Sequence, residues 1–250
     1  MKIIKIILPI ITILTIGTAC TNKHDSHDKT LNENEKVEDV YITFNFLELY
    51  EMECTQKNDA AKCFESGYSY GEAKDYHKAV NYYEKACNLK NGAGCNNIGI
   101  LYVEGTGVKQ DYHKANAYFE KACILKQNDG CFNLGLNYSE GLGVKQDLRK
   151  ANSYYEKACN LNNNDGCFNL GLNYTKGIGI KQNYRKAYTY YEKACNLKHE
   201  KGCLLLGLAY SKGIGVSPNI STAKKYFAKG CDLGAQLGCE IYSDLKKKGY

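Results

Sequence analysis

The sequence has no tryptophan and only two prolines, Pro9 and Pro218, in 250 residues. Because proline lacks a backbone N–H and breaks helices, its near absence leaves long helical segments uninterrupted. Long apolar runs are also scarce, and the run over residues 6–16 is too short for a comfortable membrane span. The composition therefore favours a helical chain over one organised around a membrane-spanning segment.

The familiar metal and phosphate motifs are absent as well. Neither His-x-x-x-His nor His-x-His occurs, and His24 and His27 stand in a polar segment without further ligands nearby. The Gly-x-Gly pairs, such as Gly141 and Gly143, follow no predicted strand and precede no Lys-Ser/Thr in the register of a phosphate loop. We therefore predict no metal and no cofactor, and we interpret the glycine pairs as turns between helices.

The sequence does contain a repeat with an offset of 36 residues. Its two clearest copies begin at Asp129 and Asp165 and read DGCFNLGLNYSEGLGVKQDLRKANSYYEKACNLN and DGCFNLGLNYTKGIGIKQNYRKAYTYYEKACNLK. A fixed period in this range is typical of a solenoid, in which neighbouring units stack and share one elongated core. The first unit begins near residue 59 and is four residues shorter, because GEAKD replaces the Gly-x-Gly turn. The segments before Cys54 and after Cys239 resemble half units that cap the two ends.

Each unit is predicted to form two helices. Leu134 and Tyr138 fall on one side of the first helix, and Gly135 lies on the same side, where it permits close approach of a second helix. The Gly-x-Gly pair ends the first helix, and Asp147 is expected to cap the second. The buried stripe of that second helix is predicted to comprise Ala151, Tyr154, Tyr155 and Ala158.

Thirteen cysteines are too many for a reducing compartment and predict disulfides. Five pairs have the spacing Cys-x7-Cys across the turn between successive units, and a sixth has one further loop residue. The short turn brings the two Cβ atoms as close as disulfide geometry requires. The predicted pairs are Cys54–Cys63, Cys87–Cys95, Cys123–Cys131, Cys159–Cys167, Cys195–Cys203 and Cys231–Cys239. A zinc site would instead need closely spaced cysteines that converge in space, whereas these pairs lie a full repeat apart.

The N-terminus is predicted to be an export signal. Two lysines precede the apolar run, and the small residues 17–19 precede Cys20. Residues 1–19 are therefore expected to be a signal peptide. Cys20 resembles the lipid-attachment cysteine of a bacterial lipobox, although Gly17 stands where leucine is usual. Lipidation of Cys20 leaves an even number of cysteines, and ordinary cleavage after Ala19 is the alternative.

Residues 20–37 are then the lipid-attachment cysteine and a flexible tether, because the segment is polar and has almost nothing to bury. Residues 38–250 are expected to form the repeat solenoid with its capping helices. The protein is expected to be exported, as a periplasmic protein, an outer-membrane lipoprotein or a secreted protein. It would contact the membrane only through its lipid anchor, and we expect a monomer.

The repeated pattern G-C-x-x-[LI]-G-x-x-Y-x-x-G-x-G-V/I-x-x-D/N-x-x-K-A-x-x-Y-[YF]-E-K-A-C resembles the SEL-one-like repeat, a relative of the tetratricopeptide repeat. With a Cys-x7-Cys pair in every unit, residues 54–245 resemble the cysteine-rich Hcp family of secreted repeat proteins. The resemblance implies an all-α fold, a right-handed α/α superhelical solenoid of disulfide-clamped helix pairs with a groove. It also implies penicillin binding or β-lactamase activity.

The sequence itself gives this hydrolase activity weak support. Serine β-lactamases of the usual kind combine Ser-x-x-Lys with Ser-Asp-Asn and Lys-Thr-Gly. Of these motifs only Ser-x-x-Lys occurs here, for example at Ser221 and Ser243. In a lysine-rich chain, about one such match is expected by chance. Both serines are therefore interpreted as helix-start or surface hydroxyls, and the catalytic residues stay unassigned.

A regular feature of the first helices favours binding instead. The second residue after the first cysteine of a unit is Asn97, Asn133 or Asn169, and the sixth is Asn137 or Asn173 in two units. The two positions lie on a helix face rotated away from the core stripe, so stacked units align them as a ladder. Related tetratricopeptide folds line their groove with first-helix residues, and asparagine amides offer a donor and an acceptor to a peptide backbone. Solvated asparagine, duplicated with the repeat, is the alternative.

Two functions therefore stay open. One is a groove that recognises or hydrolyses β-lactams, as the resemblance implies. The other is a non-catalytic scaffold that binds a peptide, a protein or a cell-wall-derived ligand at the cell envelope or a host interface. Nucleic-acid binding is not expected, because the basic residues behind the formal net charge of +6 are spread over the repeats rather than concentrated in a patch.

Overall fold

The computed structural model describes residues 46–250, and in this range the chain forms twelve helices and no strand. The predicted signal peptide, Cys20 and the tether lie outside the described residues. The helices are α1 (Phe46–Gln56), α2 (Ala60–Glu72), α3 (Tyr76–Asn88), α4 (Gly92–Glu104), α5 (Tyr112–Ile124), α6 (Asn128–Glu140), α7 (Leu148–Asn160), α8 (Asn164–Lys176), α9 (Tyr184–Asn196), α10 (Glu200–Lys212), α11 (Ile220–Asp232) and α12 (Gln236–Lys247). None of these helices combines the length and apolar character that a membrane crossing requires.

The repeat units are the helix pairs α2–α3, α4–α5, α6–α7, α8–α9 and α10–α11, with α1 before them and α12 after them. Each helix packs chiefly on the helices that precede and follow it in the chain. First helices of successive units also meet, as α2 does with α4 and α4 with α6. The all-α solenoid that the repeat predicts is therefore confirmed.

The turn inside each unit has the helix cap and the glycine conformations that its sequence predicts. Asp147 Oδ1 accepts hydrogen bonds from the backbone N–H groups of Arg149 and Lys150 at 3.0 Å, which confirms it as the cap of α7. Gly141 closes α6 in the left-handed region at φ 77°. A Cβ on Gly143 would lie 2.5 Å from the carbonyl carbon of Tyr112, so only glycine fits there. The Gly-x-Gly pair thus forms a tight turn against the preceding unit.

The two helices of a unit approach each other most closely at a glycine on the first helix. A Cβ on Gly135 would lie 2.8 Å from ring atoms of Tyr155. Gly171 has the same relation to Tyr191 one unit later. Tyr155 and Tyr191 are both buried, so their rings occupy the space that a side chain on the glycine would need. This is the close packing that the sequence predicts for Gly135.

Six disulfides fasten the turns between units. They join Cys54–Cys63, Cys87–Cys95, Cys123–Cys131, Cys159–Cys167, Cys195–Cys203 and Cys231–Cys239, the pairs that the spacing predicts. Each Cα–Cα distance is 4.5 or 4.6 Å, within reach of the bond. Cys159 and Cys167 are fully buried, whereas Cys231 and Cys239 are partly exposed. Each bond ties the last turn of one helix to the first turn of the next, across units.

Candidate ligand-binding surface

The first helices share one outward face, named here the first-helix surface. It consists of the side chains at the second, fifth and ninth positions after the first cysteine of each unit, on α2, α4, α6, α8 and α10. The fifth position is apolar in every unit and forms an apolar row: Tyr68, Ile100, Leu136, Leu172 and Leu208. All five side chains are exposed or partly exposed. This row was not predicted from the sequence, where its signal is an apolar residue directly after the packing glycine of each unit.

Three depressions lie along the first-helix surface, between neighbouring first helices. One of about 370 Å³ lies between α2 and α4 and is lined by Tyr68 and Asn97. A second, of about 310 Å³, lies between α4 and α6 and is lined by Ile100 and Asn133. A third, of about 340 Å³, lies between α8 and α10 and is lined by Leu172. The depressions therefore recur at three junctions between first helices, and residues of the apolar row line each of them.

Aromatic rings from the second helices form the floor of the depressions. Tyr83, Phe119 and Tyr191 line the three depressions in turn. The Tyr191 hydroxyl lies 3.0 Å from Thr175 Oγ1. Tyrosine phenols are already neutral near pH 7, and burial raises the pKa of Tyr83 and that of Tyr191 further. The floor is therefore apolar and uncharged, with hydroxyl groups as its polar points.

Two second-position asparagines of the predicted ladder, Asn97 and Asn133, line the depressions. The amides of Asn97 and Asn169 lie next to the hydroxyls of Tyr83 and Tyr155, where they partly offset the increase in pKa that burial causes. Asn133 Nδ2 donates to Asn96 Oδ1 at 3.0 Å. The second-position asparagines are partly exposed, and they follow the apolar row from unit to unit.

The two sixth-position asparagines of the ladder have internal partners. Asn137 is 6% exposed and donates its amide to Asn116 Oδ1 at 2.7 Å. Asn116 donates in turn to the carbonyl of Leu142, in the Gly-x-Gly turn, at 2.8 Å. Asn173 and Asn152 repeat this geometry one unit later. This internal role was not predicted from the sequence, and contact of Asn137 or Asn173 with a ligand stays a prediction.

Another repeated array joins the units through tyrosines. The rings of Tyr102 and Tyr118 stack with centroids 5.7 Å apart, and Lys114 Nζ lies 5.3 Å from the Tyr102 centroid. The Tyr118 hydroxyl donates to Glu84 Oε1, in the preceding unit, at 2.8 Å. Burial and this hydrogen bond raise the pKa of Tyr118. The array recurs with Tyr138 on Tyr154, Tyr174 on Tyr190 and Tyr210 on Tyr226. Its polar groups bind one another, which marks it as an inter-unit connection.

The Ser-x-x-Lys motifs at Ser221 and Ser243 lie in α11 and α12, at the end of the stack. Ser221 and Ser243 are both exposed. The ammonium group of Lys224 donates to the carbonyl of Tyr250 and lies 5.9 Å from the Tyr242 ring centroid. Neither serine lines a depression of the first-helix surface. The structure therefore does not bring these motifs together with the predicted binding residues.

One histidine of the described residues, His199, takes a packing role. His199 is buried and stacks on Phe168 with centroids 4.3 Å apart. Its Nδ1 accepts from the Gly202 N–H at 3.2 Å, and its Nε2 lies 3.3 Å from Asp165 Oδ1. Across residues 46–250, no group of three or more His, Cys, Asp or Glu side chains is arranged to hold a metal ion.

Comparison with known proteins agrees with this architecture. A model of the Sel1 repeat matches residues 59–91, 92–126, 128–163, 164–199 and 201–234. HcpD of Helicobacter pylori is 53% identical over 36 residues, which are 14% of this chain and 12% of HcpD. HcpC of the same organism is 52% identical over 42 residues, 17% of this chain and 14% of HcpC. Both relatives carry a provisional β-lactamase name, and the chain matches only a small part of their length.

Solved structures of repeat proteins match a larger part of the chain than these relatives do. A protective antigen of uropathogenic Escherichia coli with an SLR fold gives a TM-score of 0.75 at 28% identity, over 81% of this chain and 44% of the antigen. A Sel1 repeat protein from Oxalobacter formigenes gives 0.68 at 29% identity, over 72% of this chain and 74% of its own. Cysteine-rich protein B of Helicobacter pylori is 42% identical over 52% of this chain and 92% of its own, with a TM-score of 0.44. Because the repeat model covers more than half of the sequence and a disulfide accompanies every unit, the chain belongs to the Sel1 repeat family and is of its cysteine-rich Hcp type.

Proposed function

We propose that this protein is an exported, non-catalytic scaffold that binds an extended peptide segment along the first-helix surface. The main support for the proposal is the apolar row, because each of five successive units contributes one residue to it. A catalytic group is needed once, whereas a surface that follows an extended ligand repeats its contacts with the units. The ligand is a peptide, an exposed segment of a protein, or the peptide part of a cell-wall-derived molecule.

The dimensions of the surface fit such a ligand. First helices that pack on one another lie about 10 Å apart, and an extended peptide advances about 3.3 Å per residue. Every third side chain of the peptide therefore meets a new unit. The depressions of about 310 to 370 Å³ are proposed to receive these side chains.

Asparagines on the same surface supply polar contacts for the peptide backbone. Asn97, Asn133 and Asn169 are partly exposed beside the apolar row, and each amide offers both a donor and an acceptor. Asn137 and Asn173 are the other two members of the proposed ladder. They donate to Asn116 and Asn152, which in turn donate to carbonyls of the adjacent Gly-x-Gly turns. These hydrogen bonds attach the ladder to the turns.

Export is proposed from the cysteines. Six disulfides in the described residues are typical of an oxidising compartment. The signal peptide over residues 1–19 and lipid attachment at Cys20 are part of this proposal. Mass spectrometry of the protein released from its native membrane tests them: a mature chain that begins at an acylated Cys20 is expected, and an unmodified N-terminus at Cys20 would favour plain secretion.

The binding proposal is tested with a random peptide library displayed on phage and selected on the oxidised full-length protein. Enriched peptides are then measured by calorimetry against the double variant Leu136→Asp/Leu172→Asp. We expect at least tenfold weaker binding, because both substitutions place a charge in the apolar row. Ile124→Asp/Leu237→Asp is the matched control, since Ile124 is 74% exposed and Leu237 is 49% exposed, both outside the row. Enriched peptides that bind the double variant and the protein equally well would contradict the proposal.

β-Lactam turnover separates the scaffold from the enzyme that the Helicobacter names imply. Ser221→Ala and Ser243→Ala are compared with the unchanged protein on a chromogenic cephalosporin. We expect no turnover that depends on either serine, because neither lies in a depression of the first-helix surface. Turnover that disappears in one variant would establish hydrolysis and identify its nucleophile.

A further inference from the structure

The ninth position after the first cysteine carries a charged residue in every unit, and its sign changes once along the stack. The residues are Glu72, Glu104, Glu140, Lys176 and Lys212. Each lies four positions after the apolar row, one helical turn further on the same face. All five are exposed, and within residues 46–250 none of them belongs to an ion pair.

Four of these five residues line the depressions already described. Glu72 lines the depression between α2 and α4, and Glu104 and Glu140 both line the one between α4 and α6. Lys212 lines the depression between α8 and α10. The first-helix surface is therefore acidic at its edge over the first three units and basic over the last two.

Resting on the proposed peptide-binding function, we propose that the ligand is an extended segment with segregated charge. Its lysine or arginine side chains lie over α2, α4 and α6, and its aspartate or glutamate side chains lie over α8 and α10. Apolar side chains between them meet the apolar row. Reversed placement would bring like charges together, so the charges of Glu104 and Lys176 fix which end of the ligand lies at α2.

The same geometry sets the length of the segment. Glu72 and Lys212 are four units apart, which is about 40 Å at about 10 Å per unit. An extended chain covers this distance with about 12 residues. A segment of about half that length spans about 20 Å and faces at most three of the five charges, so it would gain less from the charge order.

The test compares two peptides of about 12 residues and identical composition, both with blocked termini. In one, the lysines fill one half and the glutamates the other; in the second, lysines and glutamates alternate. Both carry leucine at every third position. Binding to the oxidised full-length protein is measured by calorimetry at low salt and at about 0.5 M salt. We expect the segregated peptide to bind about tenfold more tightly at low salt, with the preference largely lost at high salt.

Two double variants with the same change in net charge test whether the preference depends on Lys176 and Lys212. Lys176→Glu/Lys212→Glu is expected to abolish the preference for the segregated peptide. Lys145→Glu/Lys181→Glu changes the net charge equally at exposed lysines in the turns after Gly143 and Gly179, and it is expected to retain the preference. Equal binding of both peptides would overturn the charge order while leaving peptide binding intact. Binding of neither peptide would overturn the proposed function, and the charge order with it.

Discussion

Asn137 of α6 donates its side-chain amide to Asn116 of α5 across the junction of two repeat units, with 2.7 Å between Nδ2 and Oδ1. At the first junction between units, the equivalent residues are Val80 and Leu101, which lie in the apolar core. At the last junction they are Tyr188 and Ala209, which also lie in the core. The chain thus places either two amides or two apolar side chains at each of these junctions. The pairing indicates that the two members of a pair depend on each other.

Replacing one member of the asparagine pair is expected to be costly. Asn137→Leu leaves the 7% exposed Asn116 without its donor, and an unsatisfied buried polar group costs about 1–3 kcal/mol. The double variant Asn116→Val/Asn137→Leu copies the Val80 and Leu101 junction and is expected to regain most of this loss. Urea unfolding of the oxidised protein measures both. A double variant less stable than either single variant would show that the two side chains do not act as a pair.

The packing glycines are expected to separate into essential and replaceable positions. Gly135→Ala places a Cβ 2.8 Å from the Tyr155 ring, which the buried ring cannot easily vacate, so we expect a loss of about 2–3 kcal/mol. Gly71→Ala is the control, because its nearest neighbour is the Tyr83 hydroxyl at 3.9 Å. Alanine there should raise stability by about 0.5 kcal/mol through helix propensity. Equal effects of the two substitutions in thermal unfolding would contradict this account.

Loss of a central disulfide is expected to weaken the junction that it spans. Cys159→Ala/Cys167→Ala opens a short ring, and loop-closure entropy gives about 2.5 kcal/mol for a ring of this size. The free energy of unfolding should fall by about that amount, with the helical content retained. Denaturant unfolding followed by circular dichroism measures both quantities.

The order in which the disulfides are reduced provides a second observation on these bonds. Cys231–Cys239 is partly exposed and belongs to the terminal helix α12, so it should react first with a mild thiol reductant. Cys159–Cys167 is fully buried and should react late. Alkylation and peptide mass spectrometry report the order. Early reduction of Cys159–Cys167 would mean that the central units open as readily as the end.

Alkaline pH is expected to destabilise the tyrosine array. Burial and the charge of Glu192 raise the pKa of Tyr226 to about 12, whereas an unfolded tyrosine titrates near about 10. The folded protein therefore keeps a proton that the unfolded chain releases. The stability from this group is complete below pH about 10 and is lost as pH rises from about 10 to about 12.

The difference in phenolate absorbance between the protein and Tyr226→Phe, recorded soon after a pH jump, isolates this titration. Glu192→Gln should lower the pKa of Tyr226 only partway, because burial remains as the larger cause. An unchanged titration in Glu192→Gln would show that the Tyr226 and Glu192 contact, at 3.1 Å between hydroxyl and carboxylate, has no electrostatic effect.

Local and periodic features of this protein are determined by its sequence. The helix pairs, the cap at Asp147, the tight glycine turns and the cysteine pairs each depend on residues within one 36-residue step, so repeated copies confirm one another. The close contact at Gly135 can also be predicted from the sequence. Glycine is unfavourable inside a helix, so a glycine that recurs at the same core position of successive units indicates close helix packing.

The role of the asparagines depends on tertiary structure for a geometric reason. At about 100° per residue, the second, fifth and ninth positions lie about 140–200° from the first cysteine, opposite the core stripe. The sixth position lies at about 240°, on the border between core and surface. Sequence periodicity does not determine the environment of a border position, because burial there depends on which neighbouring helix packs over it. In this fold α5 packs over Asn137, so Asn116 becomes its partner, while Leu136 beside it remains on the first-helix surface.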